Sequence, residues 1–304
     1  MRPTLRQLQY LVAIAETGKF GDAAKRTNVS QPSLSAQIAD MEEYLGSVLI
    51  ERGRHGALLT PLGEEAVRRA RLILRDVEDL KAVLSADGQA LTGRIRLGVL
   101  PTIGPYLLPG VTRHLHAEYP DFRLSVREER TIDLETHLHD GQFDTIISTA
   151  EDHENEERTH LFEESLWVCA APDDPIAQSA GDVRLADLKG CQLISLGHGD
   201  RLSHRIQTIA EAAGAHVSSE YEGTSLDAIR QMAEMGAGVA VFPSLYALTE
   251  ARRDPDLVVR RIDDPLARRD ISLIWRRTSP LKDRLLKLAE ELRAGAASIL
   301  LGRR

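Results

Sequence analysis

Residues 28–46 read NVSQPSLSAQIADMEEYLG, and their pattern decides how the first sixty residues fold. Ser30 suits an N-cap, whose side-chain oxygen accepts from free N–H groups of the first turn, and Pro32 falls where no N–H is missed. Leu34, Ile38, Met41 and Leu45 recur at helical spacing as a buried stripe, and Gly46 supplies the left-handed stop. Across from them stand Ser30, Gln31, Pro32, Ser33, Ser35 and Gln37. A face that meets only water usually carries Lys and Glu. Short hydroxyls and amides suit a surface that fits against something.

The neighbouring segments extend this unit. Thr4 and Gln7 make a capping box ahead of a helix with Leu5, Leu8, Val12 and Ala15 along one face. A second short helix around Phe20 to Arg26, with small Ala23 and Ala24, breaks at Thr27-Asn28. Three short helices with a tight break before the third make a helix-turn-helix unit. VLIERGRHGALLT (48–60) then reads as two short β pieces around a turn, a wing beside the third helix. Thr60 and Pro61 open a long helix as N-cap and first residue. In it Ala66, Ala70, Ile73, Val77, Leu80 and Leu84 form a heptad seam that pairs with a second copy or packs on its own domain.

After SADGQALTG (85–93) the texture changes. RIRLGVL, FRLSV, FDTIIS, LWVCAA, CQLISL, VAVFP and ISLIW are strand candidates. GPYLLPGVTRHLHAEY, DLETHLHDG, DRLSHRIQTIAEAAG, SLDAIRQMAEMGAG and PLKDRLLKLAEELRAG are helix candidates. Alternating β and α elements over about 200 residues imply an α/β sheet covered by helices on both faces.

The chain has 304 residues, enough for two or three domains, with 42% hydrophobic and 28% charged residues. No apolar run reaches the ~18 residues of a membrane span, and Met1 to Gln9 has no signal-peptide core, so no membrane is expected and a cytoplasmic location is. Net charge is −8, yet residues 1–60 hold seven Lys/Arg, Lys19 among them, against six Asp/Glu. That is no strong electrostatic footprint for DNA, so a DNA reading must rest on the pattern. Cys169, in an apolar run, and Cys191 are too few for a disulfide framework and lack metal-site spacing. His114/His116 and His137/His139 are two apart on helices and point away from each other, as solvated faces do. Met232 and Met235 read as core residues of an amphipathic helix. Neither a P-loop, a GxGxxG nor a nucleophile elbow is present, so no enzyme and no cofactor is expected.

Helix-turn-helix units set the N-terminal part of their second helix into the major groove. Ser and Gln side chains there reach phosphates and base edges, and Gln bonds adenine bidentately. The residues alone leave DNA binding and a bland helical bundle both open.

MRPTLRQLQYLVAIAETG, DAAKRTNVSQPSLSAQI and LLTPLGE together resemble the winged helix-turn-helix domain of LysR-type transcriptional regulators. GVLPTIGPYLLP, EGTSLDAIRQMAEMGAGVAVFPS and RRTSPLKDRLLKLAEELRA are similar to the regulatory domain of the OxyR-type, peroxide-sensing branch. One departure is Ile50, where the family usually has Phe before the wing arginine. The resemblance implies a DNA-binding domain over 1–60, a dimerising linker helix and hinge over 61–92, and a regulatory domain over 93–304. The last would be a type II periplasmic-binding-protein fold, with subdomain I about 93–163 plus 268–304 and subdomain II about 164–267. Within the DNA-binding domain the helix-turn-helix runs from about Lys19 to Ile38. Implied DNA contacts are Ser30, Gln31, Pro32, Ser33, Ser35, Gln37, Arg52 and Arg54. Implied cleft residues are Pro101, Thr102, Thr131, His198, Arg201, Ser203, Thr224 and Ser225.

In peroxide sensors the segment matching LISLGHGDRLSHRIQTIA carries the reactive and resolving cysteines; here those positions hold Arg201 and Ala210. A guanidinium forms no sulfenic acid, so a thiol switch is not expected. Arg201 would instead hold a carboxylate or phosphate effector, or else close a salt bridge between subdomains. The expected partners are duplex promoter DNA, a small-molecule effector, RNA polymerase and further copies of the chain, as a homodimer or homotetramer. Two rivals remain. The C-terminal 210 residues alone suggest a small-molecule binding protein or transport receptor, against which the N-terminal motif counts. The other is an OxyR-like oxidative-stress regulator working without the cysteine switch.

Overall fold

The computed structural model describes residues 3–53, 56–84, 91–197, 201–218, 225–254 and 256–302. Arg54, His198, Thr224 and the side chain of Leu84 lie outside the described residues. The chain forms two compact units, one of residues 1–90 with 136–143, the other of 91–135 with 144–304.

In the first unit, α1 (Leu5–Thr17) starts at the expected capping box of Thr4 and Gln7. Its buried face is not the expected one. Leu5 is exposed, and Gln7, Leu8, Tyr10, Leu11, Ala13 and Ile14 are buried. The reason is packing on several sides: α1 contacts α2 (Phe20–Arg26), α3 (Gln31–Leu45) and α4 (Pro61–Leu84), so one stripe does not describe it.

The segment read as the helix-turn-helix, about Lys19 to Ile38, covers α2 and the first half of α3. Lys19 is the extended N-cap residue of α2, at φ −144°, and its side chain makes no capping hydrogen bond. Asn28 makes the break after α2 in the left-handed region, at φ 56°, which asparagine tolerates better than most residues. Ser30 Oγ then accepts from Ser33 N at 3.3 Å to cap α3. Ile38 lies in the middle of α3, which stops at Gly46 as the sequence predicts. The helix continues to Leu45 because Met41 prolongs the buried stripe and the first left-handed stop is Gly46. Leu34, Ile38 and Met41 are buried as expected, but Leu45 in the last turn is exposed.

β1 (Ile50–Gly53) and β2 (Gly56–Leu59) pair antiparallel as the wing. Ile50 is buried in the core, so the departure from Phe changes the filling of that core. Thr60 caps α4 by accepting from Gly63 N at 2.9 Å. The α4 seam divides. Ala70 is only 1% exposed and packs with Val67 in the unit's own core, flanked by Ala66, whereas Ile73 and Leu80 are 44% and 58% exposed. Within the seam, Ala70 is thus covered by the chain itself with Ala66 half-buried beside it, while Ile73 and Leu80 stay open.

Among the described residues the second unit is built on a nine-stranded sheet. β3 (Gly93–Val99), α5 (Gly104–Glu118), β4 (Phe122–Glu128), α6 (Thr131–His139, of which 136–139 count with the first unit) and β5 (Thr145–Thr149) lead to β6 (Glu157–Cys169). Then come α7 (Pro175–Gln178), β7 (Gln192–Ile194), α8 (Arg201–Ala213), β8 (His216–Val217), α9 (Leu226–Glu234), β9 (Val239–Pro243), α10 (Ser244–Arg253), β10 (Val259–Arg261), β11 (Arg268–Trp275) and α11 (Lys282–Leu300). Strand order is β4-β3-β5-β11-β6-β9-β7-β8, with β10 also on β6. β6 divides along its length: Glu157–Ser165 pairs with β11, while Leu166–Cys169 pairs with β9 and β10. The cores on either side differ accordingly. Ile95, Leu97, Val99, Ile146, Ile147, Ile271 and Leu273 are buried beside the first half. Leu166, Val168, Ile194, Ile206, Ile229 and Val241 form a cluster around the second. Met232 packs against that cluster, but Met235, expected in the core, is 74% exposed, because α9 ends at Glu234.

Candidate nucleic-acid interface and ligand cavity

Ser30, Gln31, Pro32 and Ser33 are exposed at the start of α3, and Ser35 and Gln37 are half-buried one turn on. Arg52 joins the wing to this surface. Its Nη1 donates to Ser35 Oγ at 2.9 Å, and its guanidinium carbon sits 5.0 Å from the Phe20 ring centroid. Two polar side chains hold the arrangement: Glu42, which the sequence reading did not single out, and Gln7, which it read only as a helix cap. Glu42 Oε1 accepts from Leu49 N at 2.7 Å and Ile50 N at 3.0 Å, fixing where β1 leaves α3. Buried Gln7 donates from Nε2 to Gln37 O at 3.2 Å, tying α1 to α3. Ala57 N also donates to Gly18 O at 2.8 Å, which docks β2 on the end of α1. A side chain at Gly56, whose φ is 137°, would meet Gly18 O at 2.5 Å and Lys19 Cγ at 3.8 Å. Exposed Lys19 therefore stands beside the wing. The wing thus lies flush against the helices, leaving a hydroxyl- and amide-rich helix end beside a guanidinium.

In the second unit the candidate residues part company. Thr102 is buried and its Oγ1 accepts from Arg269 Nη2 at 3.1 Å. Arg269 in turn pairs with fully buried Glu164 at 2.7 Å, whose other oxygen accepts from Leu245 N at 3.0 Å. Removing one member of such a buried pair costs about 3–5 kcal/mol, because the other charge is stranded. Sequence parity holds a signal for both. Arg269 shares the inward-facing side of β11 with Ile271 and Leu273, and Glu164 shares that of β6 with Leu166 and Val168. A charge on an inward parity demands a partner.

Arg201 opens α8 and lines a cavity of about 340 Å³ with Thr149, Glu151, Asp152, His204, Arg205 and Arg269. Its Nη1 lies 3.3 Å from Asp152 Oδ1, and Arg205 pairs with Glu151 while donating to Arg268 O at 2.8 Å. Burial pushes the Asp152 carboxyl above its ordinary value, against the pull of Arg201. The other candidates have local roles. Ser203 Oγ donates to Leu196 O at 2.5 Å, which pins α8 to the end of β7, and Ser225 caps α9 by accepting from Ala228 N at 3.3 Å. Thr131 is buried at the start of α6, and Pro101 is exposed beside Thr102. None of these four lines the Arg201 cavity.

Both cysteines are free. Burial pushes the Cys169 thiol up to about 12 and raises that of Cys191 as well. Cys169 pairs across to Ala240 and Ala240 to Ile194, two strand spacings or roughly 10 Å away. Cys191 lies three residues before Ile194, so the two thiols are well beyond the ~7 Å Cα separation that a disulfide spans. Ala210, at the other position expected to carry a thiol in peroxide sensors, is buried in the α8 core. Among the described residues no group of three His, Cys, Asp or Glu is placed to hold a metal, and no helix is long and apolar enough to cross a membrane.

Comparison with known proteins agrees with this two-part construction. Residues 5–64 match the profile described as bacterial regulatory helix-turn-helix protein, lysR family, and residues 88–297 match the LysR substrate binding domain. The chain is 36% identical over 291 residues to the DNA-binding transcriptional dual regulator OxyR of Escherichia coli K12, covering 95% of each chain. It is 30% identical to HTH-type transcriptional regulator EstR of Acinetobacter baylyi, over 92% of this chain and 93% of that one. A full-length cysteine-to-aspartate OxyR variant from Pseudomonas aeruginosa superposes with a TM-score of 0.76 at 30% identity, covering 95% of this chain and 97% of that one. With both profiles matched in order and relatives similar along nearly their whole length, the chain belongs to the LysR family of bacterial helix-turn-helix transcriptional regulators.

Proposed function

We propose that this regulator reads duplex promoter DNA with the start of α3 and the wing, and that a small anion entering the Arg201 cavity changes how it does so. Ser30, Gln31 and Ser33 reach the groove, and Arg52 holds the flanking phosphates. The chain acts as a homodimer or homotetramer through the exposed part of α4, with RNA polymerase as a partner at the promoter. Its regulatory part works as two subdomains, about 93–163 with 268–304 and about 164–267. The divided pairing of β6 supports this split.

One observation carries the ligand reading: three arginines, Arg201, Arg205 and Arg269, line a single cavity. Each already has an acidic partner, so an anion enters by exchanging with a carboxylate. Asp152 is the one that yields, since burial already disfavours its charge. A carboxylate or phosphate then gains the Arg201 fork, and Thr149 and Thr208 line the same space. Arg269 extends the cavity to Glu164 and thence to Leu245 at the start of α10. An effector there would bias one arrangement of the regulatory part over another, which is what allosteric coupling requires. Several relatives are named for hydrogen peroxide, but two separated thiols, Cys169 buried and Cys191 half-buried, do not support that chemistry for this chain.

The test uses the full chain and an operator duplex selected from random sequence. Succinate, sulfate and inorganic phosphate are titrated while DNA binding is followed by fluorescence anisotropy. A saturable shift for at least one anion, lost in Arg201→Gln, is expected. No response to any of the three, or an undiminished response in the variant, would overturn the proposal.

A further inference from the structure

A second cavity, of about 610 Å³, lies among α5, α10 and α11. It falls in the size range of small-molecule sites, ~300–1,000 Å³. Leu107, Gly110 and Val111 of α5 and Ala294, Gly295 and Ile299 of α11 make an apolar floor. Thr249, Arg252 and Arg253 of α10 close one end, and His114 with Glu291 the other. The charges at the two ends differ in kind. Glu291 is already engaged, by His114 Nε2 at 3.1 Å and by the Tyr119 hydroxyl at 2.8 Å. Arg253 is held by Glu250 at 2.8 Å. Arg252 is exposed, donates from Nη2 to Ile299 O at 2.5 Å, and makes no ion pair among the described residues. Most of its donor fork remains available.

Gly110 gives the cavity its second mark. It sits inside α5, where glycine weakens a helix relative to alanine. Close packing does not require it, because a Cβ built there meets nothing within 4 Å. Gly295 across the floor is different: a Cβ there would lie 2.3 Å from Val111 Cγ2. One glycine is demanded by helix contact; the other leaves open space.

We propose that this cavity is a second ligand site, for a small amphipathic acid such as an arylalkanoate, its carboxylate on Arg252 and its ring over Gly110 and Gly295. Occupancy is felt at the Arg201 cavity through α10. Tyr246 of α10 stacks edge-on against Tyr106, which lines the second cavity, with ring centroids 5.3 Å apart. One residue earlier, Leu245 N is held by Glu164, the partner of Arg269. The acid therefore steadies α10 at one end while the other end is anchored to a residue lining the Arg201 cavity. It modulates the anion response and does not replace it.

Calorimetric titration of the full chain with 3-phenylpropanoate, and with 3-phenylpropanamide as the uncharged counterpart, tests this. Saturable binding of the acid is expected, weakened at least tenfold in the amide and in Arg252→Gln. In Gly110→Phe, which fills the space from an exposed helix position, it is abolished. In anion-free buffer Arg201→Gln still binds the acid, which separates this site from the other cavity. Circular dichroism and thermal melting confirm that each variant is folded, and Gly110→Leu replaces Gly110→Phe if the latter is not. The proposal is overturned if the acid does not bind, if acid and amide bind alike, or if binding persists in the filled variant and disappears in Arg201→Gln.

Discussion

Arg52 of the wing and Ser35 of α3 share a hydrogen bond of 2.9 Å, from the guanidinium Nη1 to the hydroxyl. The bond, with the Phe20 ring beneath the guanidinium, holds a positive charge beside the exposed start of α3 before any DNA arrives. Preorganisation of this kind lowers the entropy lost on binding.

The base-reading and phosphate-holding residues should then fail in different ways. Gln31→Ala, if Gln31 bonds a base edge, costs about 1–3 kcal/mol on the selected operator and relaxes preference at one position. Arg52→Ala weakens binding to all sequences and lowers the slope of affinity against salt by about one. Anisotropy titrations across a salt series distinguish the two. Equal losses on specific and random duplexes in Gln31→Ala would remove that residue from base reading.

The divided seam of α4 gives a second contrast. Ile73 and Leu80 are exposed in the single chain and Ala70 is not. Ile73→Asp should therefore leave the melting temperature of the dilute protein nearly unchanged while dissociating the oligomer. Ala70→Asp should unfold the N-terminal unit. Sedimentation velocity with thermal melting reads both effects, and an oligomer intact in Ile73→Asp would place the interface elsewhere.

The start of the chain was legible because its signals are local. Thr4 with Gln7, Ser30, Pro32 and Gly46 each mark a helix end by rules that need no tertiary knowledge, and the structure has those ends. Periodicity served less well where a helix is packed on several sides. The stripe of Leu5, Leu8, Val12 and Ala15 missed Leu11 and Ile14, and a heptad pattern did not distinguish a partner helix from the chain's own core. β6 hid its first half because RTHLFEES alternates around charged residues. Arg201 was reached through family resemblance, but Asp152 lies 49 positions earlier, and only the fold brings them together. Arg269 and Glu164 were overlooked although their strand parity marks them as inward charges.

Asp152 gives the Arg201 cavity a pH dependence of definite sign. Its carboxyl is raised above 3.8 by burial, with Arg201 opposing. The folded chain thus holds this proton more readily than the unfolded one. Stability from this group rises as pH falls through the raised value and levels off below about 3.8. Protonated Asp152 also releases Arg201. Sulfate, whose charge is constant over this range, should therefore bind more tightly as pH falls. Asp152→Asn should bind it severalfold more tightly near neutrality, with a flatter profile. His204 lines the same cavity, together with Arg205, Glu151 and Arg269, so His204→Gln is the control for its own protonation. A profile identical in Asp152→Asn and wild type, measured by calorimetry, would exclude Asp152 as the gate.

Regulation by an anion in place of peroxide depends most directly on there being no thiol switch in a chain so similar to OxyR. Cys169 is buried with its thiol pushed up to about 12, Cys191 is raised too, and the strand register keeps the two apart. The decisive measurement is operator affinity of the reduced full chain before and after stoichiometric hydrogen peroxide, with free thiols counted in the same samples. Unchanged affinity is expected, with both thiols still titratable. A peroxide-induced change in affinity that disappears in the Cys169→Ser/Cys191→Ser double variant would contradict it.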